Sequence, residues 1–381
     1  MNNIYIGCAR DSHDIEAALL LAAKTFNYHK GLSKESFKNK KILLSPYDTL
    51  YEKDVVILAN DQNEICGACF LIDREFYKNG IRLKSTFLSS ICISESSRGL
   101  GLSRLLMDEA IKKCEQRGSS FAVLIARRSV DFFYNKFSFW GLSQYSSINL
   151  KIADKLTSYS NYSISPATDK DLAVVSELYD STYSKLFGSC VRSIKYWNYV
   201  LWKAKSQQFN FLLLRSEDVV IGYVIFQDND IYEISTTNNT SCLELLYVLR
   251  ERYSINNVTL HCSSQHPLIS ELEELDFSCT RRQCCFGGHM VRVLNPGYLL
   301  NCLKDEVKHA TLTLGITNHT EIHGNSTIKI QGGELDVKIS GSPYTYKNTC
   351  FLMMADGLSI FSDKNILYKP HSFNIPYFDQ I

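Results

Sequence analysis

The stretch Arg98-Gly99-Leu100-Gly101-Leu102-Ser103 joins an apolar run to an amphipathic one and decides the fold of the first part of the chain. Residues 87–93, immediately before it, are Phe-Leu-Ser-Ser-Ile-Cys-Ile, which predicts a buried strand. After it, apolar residues between Met107 and Cys114 recur at helical spacing, and Gly118 predicts the end of that helix. The stretch is therefore predicted to be a glycine turn that leads from a strand into a helix.

A glycine turn in this position is suited to binding phosphate groups. The first turn of a helix has N–H groups without backbone partners, and the helix dipole places partial positive charge there. Gly99 and Gly101 lack a Cβ, so a pyrophosphate could approach their backbone, and Arg98 could add a charged donor. The chain contains no GxGxxG and no Gly-Lys-Ser/Thr, so dinucleotide and nucleotide-triphosphate loops fit less well.

The residues of this turn resemble a known acyl-CoA loop. Arg98-x-x-Gly101-x-Ser103 resembles the (Gln/Arg)-x-x-Gly-x-(Gly/Ala) loop of the GNAT superfamily of N-acetyltransferases, with serine at the last position. Further on, the motif Phe-Tyr-x-x-Phe-x-Phe at residues 133–139 resembles the family's Phe-Tyr-x-x-x-Gly-Phe. Ser138 stands where the family has glycine, so we expect the backbone to differ slightly there. The resemblance covers residues 1–150 and implies a mixed α/β GNAT fold.

The resemblance also implies roles for individual residues. Acetyl-CoA would be the co-substrate, and a backbone N–H near Ile93 would polarise its thioester carbonyl. Tyr134 would protonate the departing thiolate. Without the resemblance, Tyr134 would be interpreted as one more core aromatic among neighbouring phenylalanines. Ile91 and Ile93 would lie beside the pantetheine, and the pyrophosphate would be cradled by Arg98, Gly99, Gly101, Leu102, Ser103 and Arg104.

Two further units follow the first. Residues 151–162 are polar and are predicted to form a linker, and residues 163–289 repeat the α/β pattern of the first unit. The turn at residues 237–240 has no glycine, so we expect no CoA site in this copy. From residue 290 the composition shifts, which predicts a small α+β domain with a helix near residues 298–307.

Three units in this order resemble the Eis (enhanced intracellular survival) family of acetyltransferases. The resemblance implies a catalytic GNAT domain at 1–150, a degenerate GNAT-like domain at 163–289 and a sterol-carrier-like domain at 290–381. It implies a homo-oligomer, hexameric in the best-known members. It also nominates the terminal carboxylate of Ile381 as the general base, because in that family the chain end reaches the active site. An ordinary packed C-terminus is the alternative.

Composition excludes several other classes of protein. The 381 residues carry a net charge of +1 and no long basic block, which argues against nucleic-acid binding. The small basic cluster Lys38 to Lys41 is interpreted as a solvated helix face. No apolar run is long enough to span a membrane, no signal peptide is recognisable, and thirteen scattered cysteines are typical of reduced thiols, so a cytoplasmic location is expected. The spacing of Cys279, Cys284, Cys285 and His289 matches no standard zinc site, so no metal is predicted.

The sequence therefore predicts an acetyl-CoA-dependent N-acetyltransferase. The acceptor would be a primary amine of a small molecule or of a lysine, attacking directly in a ternary complex. The alternative is a non-catalytic CoA-sensing or lipid-binding protein. The sequence does not identify the amine, because pocket residues come from variable loops.

Overall fold

The computed structural model describes residues 4–27, 33–44, 49–78, 80–127, 129–141, 144–152, 162–263, 265–271, 277–283, 288–295, 309–318, 321–331, 334–338 and 377–379.

The first unit is a seven-stranded sheet with helices on both faces. Its strands are β1 (Tyr5–Cys8), β2 (Val55–Ala59), β3 (Ile65–Lys78), β4 (Ile81–Ile93), β5 (Phe121–Ala126), β6 (Trp140–Gly141) and β14 (Gly288–Val293). Its helices are α1 (Ser12–Asn27), α2 (Lys34–Leu44), α3 (Leu102–Gln116) and α4 (Asp131–Asn135). The strand order is β1-β2-β3-β4-β5-β14-β6, in which only β4 and β5 run parallel.

The second unit repeats this plan. Its strands are β7 (Gln144–Lys151), β8 (Tyr162–Pro166), β9 (Asn210–Ser216), β10 (Val219–Gln227), β11 (Asp230–Thr236), β12 (Asn257–Cys262) and β13 (Phe277–Gln283). Its helices are α5 (Leu172–Tyr183), α6 (Ile194–Ser206), α7 (Asn239–Tyr253) and α8 (Leu268–Glu271). The order β8-β9-β10-β11-β12-β7-β13 matches that of the first sheet, and its one parallel pair, β11 with β12, occupies the same place. The repeat expected from the sequence is therefore confirmed.

The two sheets exchange one strand each. Strand β7, which the sequence division at residue 150 groups with the first unit, pairs with β12 in the second sheet. Strand β14, most of which the division at residue 289 groups with the third unit, pairs with β5 in the first sheet. The local hydrophobic pattern predicts that a segment is a strand, but contacts distant in sequence determine which other strand it pairs with. The boundaries at 150 and 289 therefore do not separate the two sheets.

Helices α1 and α3 cover opposite faces of the first sheet. Alternate residues of β2 explain this, since Val55 and Ile57 pack in the α1 core while Val56 and Leu58 pack in the α3 core. This alternation is the period-two pattern of a strand buried on both faces.

A third core joins the two units. It combines Phe76, Phe87 and Phe121 of the first sheet with Tyr179 and Trp197 of the second unit. The short 3₁₀ turn Tyr377–Asp379 completes it, and Phe378 is fully buried there. The described part of the apolar C-terminal tail, Tyr377–Asp379, is therefore docked in the joint core.

A buried ion network holds this turn. Arg192 Nε lies 2.7 Å from one carboxylate oxygen of Asp379, and its two terminal nitrogens lie 2.8 and 2.7 Å from Glu233. Burial alone would lower the pKa of Arg192, but the two carboxylates outweigh it and raise that pKa well above its usual value. Nearby, Lys203 Nζ donates to the Tyr377 carbonyl at 2.8 Å. The guanidinium therefore stays charged and ties the C-terminal turn to β11, while Lys203 ties the turn to α6.

Replacing Arg192 should destabilise the whole protein. Arg192→Met leaves two buried carboxylates without their cation, so we expect a loss of about 3–5 kcal/mol in the free energy of unfolding. The matched control is Arg215→Met, because Arg215 pairs with Asp171 at a part-exposed site, where such pairs contribute about 1 kcal/mol or less. Urea unfolding followed by tryptophan fluorescence measures both. Equal losses in the two variants would contradict the role given to the network.

The described part of the third unit is an antiparallel sheet of β15 (His309–Asn318), β16 (Glu321–Gln331) and β17 (Glu334–Lys338). The helix expected near residues 298–307 and most of the expected linker lie outside the described residues.

Candidate functional site

The central feature of the first sheet is an opening between its two parallel strands. Paired residues run from Ser85 opposite Phe121 to Leu88 opposite Leu124. Beyond Leu88, β4 continues to Ile93 against β3 alone, while β5 continues against β14. No pairing joins the described residues of β4 and β5 past this point. Backbone N–H and C=O groups at such an opening can bind an extended ligand.

A β-bulge re-aims β4 where the opening begins. Phe70 pairs with Ser89 and Ala68 pairs with Cys92, so Cys69 alone faces two residues, Ser90 and Ile91. Ser90 has a φ of 55°, in the left-handed region that serine rarely adopts. A bulge bends a strand and turns its N–H groups away from the regular ladder. This geometry is the kind that leaves a backbone donor for a ligand carbonyl.

The glycine turn has the conformation that the sequence predicts. Gly99 and Gly101 have φ values of 79° and 76°, and a Cβ built on either would meet no atom within 4 Å. Gly101 caps α3, and no side chain of the described residues bonds to the N–H groups of the first turn. The first turn of α3 carries no acidic residue either. The end of the helix is therefore open, positive and approachable, which fits a pyrophosphate.

The corresponding helix of the second unit is closed. The side chain of Asn238 accepts hydrogen bonds from both the backbone N–H and the hydroxyl of Ser241, at 2.9 and 3.1 Å. This capping satisfies an N–H group that a phosphate would otherwise bind. The contrast between the two units favours α3 as the anion site.

The other predicted loop residues lie around this helix end. Leu102 is buried and anchors the first turn, Ser103 is half-buried, and Arg98 and Arg104 are exposed. Arg104 lies 3.9 Å from Asp108, a distant pair that leaves its guanidinium available. A cleft of about 680 Å³ runs beside the loop, lined by Ser94 to Arg98 on one side and α1 on the other.

Tyr134 lies on α4, directly after β5. It is half-buried and packs against the α3 core, to which Ile91 and Ile93 also belong as partly buried members. Burial, helped by the thiols of Cys69 and Cys92, raises the pKa of the Tyr134 hydroxyl to about 12. Cys69 is the residue opposite the bulge, so Tyr134 lies close to the opening in β4. Its hydroxyl stays protonated at neutral pH and can donate a proton there.

The backbone after Tyr134 differs from our expectation. Ser138 was expected to change the backbone where the resembling family has glycine, but its φ is 62°, in the region that glycine favours. Serine has adopted the left-handed conformation instead, at a cost of roughly 1 kcal/mol. The chain direction after α4 is thereby retained.

The structure brings Ile91, Ile93 and Tyr134 together in one cluster and places the loop residues at the adjoining helix end. Ile381, the nominated base, lies outside the described residues, two residues beyond the buried Asp379.

Sequence reasoning missed one buried cation near the bulge. Lys41 was interpreted as part of a solvated face, but it is 2% exposed and its Nζ lies 2.5 Å from Ser89 Oγ. The other end of the basic cluster Lys38 to Lys41 is at the surface, where Lys38 pairs with Glu16 at 2.6 Å. Three residues of a helix turn through about 300°, so Lys38 and Lys41 lie about 60° apart around the axis, and only Lys41 turns into the interior. The apolar Ile42 and Leu43 beside it were the available signal.

Comparisons with known proteins give the class of this unit. Residues 12–142 match the sequence profile of the acetyltransferase (GNAT) domain. Residues 12–142 are therefore similar to GNAT acetyltransferase domains, and the chain has a GNAT fold. No curated protein sequence matches the chain.

Solved structures share the fold along most of the chain. A GCN5-related N-acetyltransferase from Anabaena variabilis superposes with a TM-score of 0.69 at 13% identity, covering 100% of both chains. A probable N-acyltransferase from Enterococcus faecalis gives 0.63 at 14% identity, covering 90% of this chain and 86% of its own. Eis1 from Mycobacterium abscessus gives 0.61 at 13%, covering 88% and 85%. At these identities the likeness shows the fold alone.

Within the described residues, no helix has the length and apolarity needed to cross a membrane.

Proposed function

We propose that this protein transfers an acetyl group from acetyl-CoA to a primary amine. One observation supports this above the others: β4 separates from β5 at a bulge and then leads directly into an uncapped helix behind two left-handed glycines. A strand opening followed by an anion site suits a ligand that has an extended amide-bearing arm joined to a pyrophosphate. Acyl-CoA has this form.

The co-substrate would lie along β4 and α3. The pyrophosphate would accept hydrogen bonds from the backbone of Gly99, Gly101, Leu102 and Ser103, with Arg98 and Arg104 neutralising its charge. The pantetheine would extend beside Ile91 and Ile93, whose backbone faces the opening. The thioester carbonyl would then lie near the bulge.

The chemistry needs an acid and a base around this thioester. The neutral amine attacks the carbonyl carbon, a C–N bond forms, and the C–S bond breaks. Tyr134 gives its proton to the departing thiolate, and the Ile381 carboxylate accepts the proton that the amine loses. Burial of Phe378 and Asp379 between the two units supports the second role, because this docked turn ends two residues before Ile381.

The finer resemblance to the Eis family extends this proposal. The third unit would be sterol-carrier-like, the active form a homo-oligomer, and the location cytoplasmic. Three antiparallel strands, β15 to β17, are the described part of that unit.

Gly101→Val tests the co-substrate site. Acetyl-CoA should raise the melting temperature of the parent protein, because a ligand that binds only the native state stabilises it. Valine is strained at a φ of 76° and its side chain would occupy the approach to the helix end, so the variant should lose that rise.

Gly118→Val is the matched control, because Gly118 has a φ of 69° and equally open surroundings at the other end of α3. It should carry the same strain and still respond to acetyl-CoA. If both variants respond as the parent does, the loop does not bind the co-substrate. If the parent binds acetyl-CoA but acetylates no amine, the non-catalytic CoA-binding alternative is correct.

A further inference from the structure

Arg74 of β3 is buried and has no charged partner among the residues that the structure describes. The residue is 8% exposed, one terminal nitrogen donates to the carbonyl of neighbouring Asp73 at 3.0 Å, and the guanidinium lies 4.5 Å from the ring centre of Tyr196. Its Nε and second terminal nitrogen are buried and find no hydrogen-bond partner within the described part of the chain. An arginine cannot shed its charge, so these two donors remain unsatisfied.

Two other arginines show how this protein normally pairs such groups. Arg117 lies 2.9 Å from Asp54 and 3.0 Å from Asp73, and Arg192 binds both Glu233 and Asp379. Burying a cation without its counter-charge is costly, as is leaving its donors unbonded. Arg74 differs from these two arginines, and a bound anion would supply the counter-charge that it lacks.

A buried lysine lies close to Arg74. Lys41 is held between Ser89 Oγ and the ring of Phe70, and Phe70 lies on the same face of β3 as Arg74, four residues away. Burial lowers the pKa of Lys41 well below its usual value, and the positive charges of Lys40 and Arg74 act in the same direction, opposed by the thiols of Cys69 and Cys92. The lowered pKa disfavours the charged form of Lys41, so Arg74 is the permanent cation of the two beneath α2 and α6.

The face of β3 that carries Arg74 begins at the proposed reaction centre. Ser89 immediately precedes the bulge residue Ser90, and Phe70 pairs with Ser89. Arg74 follows Phe70 by four positions of the strand, so their Cα atoms lie about 13 Å apart. The distance from the guanidinium to the bulge can be shorter, because the arginine side chain is long. A ligand that places its anion at Arg74 and its amine at the bulge would thus need a chain of several bonds between the two groups.

We propose that Arg74 binds a carboxylate, and that the amine acceptor supplies it. The inference rests on the proposed acetyl transfer and names the acceptor class: amino acids whose reacting amine is separated from the carboxylate by a chain of several carbons. The planar guanidinium suits a carboxylate, which accepts two parallel hydrogen bonds from its fork. Its two unbonded nitrogens, Nε and a terminal nitrogen, form one side of that fork.

The C-terminus of this chain is a second source from which a carboxylate could reach Arg74. Tyr196, whose ring lies under Arg74, donates its hydroxyl to the Phe378 carbonyl at 3.3 Å, three residues before Ile381. The terminal carboxylate could reach roughly 10 Å from that point in an extended chain. The test therefore has one arm for each source of carboxylate.

The first arm compares substrates that differ only by the carboxylate: lysine against cadaverine, and 6-aminohexanoate against pentylamine. The parent should favour the carboxylated member by about tenfold or more in kcat/KM, as expected for a charged hydrogen-bonded pair. Arg74→Met should abolish this preference through KM, and Arg74→Lys should restore part of it. Without ligand, Arg74→Met should melt at the same temperature or higher, because it removes an unpaired buried charge.

The second arm adds one residue after Ile381. If the chain end supplies the carboxylate, the parent shows no preference between the paired substrates. Arg74→Met then melts at a lower temperature than the parent, and adding the extra residue to Arg74→Met lowers its melting temperature no further. That result would keep the carboxylate site and overturn the substrate assignment. If Arg74→Met keeps the substrate preference of the parent and the extension lowers its melting temperature further, both the carboxylate site and the substrate assignment are overturned.

Two controls separate this inference from the proposed activity. Arg117→Met should lower the melting temperature and leave the substrate preference intact, because Arg117 is paired elsewhere. Should the parent acetylate none of these amines, acetyl transfer fails but Arg74 remains testable. In that case 6-aminohexanoate, and not pentylamine, should still raise the melting temperature of the parent and not of Arg74→Met.

Discussion

Tyr134→Phe should slow acetyl transfer by roughly 100-fold or more while acetyl-CoA binds as before. The substitution keeps the ring, which packs at 5.2 Å from that of Phe133, and removes only the hydroxyl. Without the proton donor, the thiolate must leave as an anion or take its proton from water. Single-turnover kinetics and an acetyl-CoA titration by calorimetry separate the loss in rate from any loss in affinity.

The pH dependence of turnover gives this prediction a second readout. An ordinary tyrosine ionises near pH 10, whereas burial raises the pKa of Tyr134 to about 12. The protonated acid is the active form, so ionisation of Tyr134 should not reduce turnover below about pH 11.

Tyr77→Phe is the matched control for Tyr134. Burial, with the nearby charge of Asp180, raises the pKa of Tyr77 to about 12 as well, and its hydroxyl donates to Asp180 at 3.0 Å. That hydroxyl lies in the contact between the units, so its loss should reduce stability by about 1 kcal/mol and leave turnover unchanged. Full activity in Tyr134→Phe would return Tyr134 to a packing role.

Adding a single residue after Ile381 should suppress acetylation while acetyl-CoA still protects against melting. The addition moves the terminal carboxylate by up to about 3.6 Å, too far for direct proton transfer. Deleting Ile381 should act in the same way. The buried turn at Tyr377–Asp379 should remain docked in both variants, because its ion pair with Arg192 lies upstream of the change.

One residue added at the N-terminus is the control, since it leaves the terminal carboxylate in place. A structural tail would tolerate both additions. Full activity in the C-terminally extended protein would reject the Ile381 carboxylate as the base.

The fold around the glycine turn could be predicted because its signals are local. Residues 87–93 lie within β4, the helix runs from Leu102 to Gln116, and Gly118 ends it with a φ of 69°. Each of these features depends on residues within a few positions of one another, so the sequence specifies them directly.

Long-range partners could not be predicted in the same way. Nothing in β7 or β14 indicates that each pairs in the other unit's sheet, because many apolar edges could accept an extended segment. Burial of Lys41 was missed for a related reason: its charge suggested solvent, while the apolar strand face beneath α2 became evident only in three dimensions. The unpaired nitrogens of Arg74 likewise follow from packing between units rather than from any motif.

The most direct test of acetyl transfer is to incubate the purified chain with acetyl-CoA and a panel of primary amines that includes lysine and 6-aminohexanoate. Mass spectrometry then measures free CoA and acetylated amine together. We predict that both accumulate in equal amounts in the parent, and that neither rises above background in Gly101→Val. CoA release without acetylated amine, or no turnover although acetyl-CoA raises the melting temperature, would contradict the proposal that the opening at β4 is an acetyltransferase site.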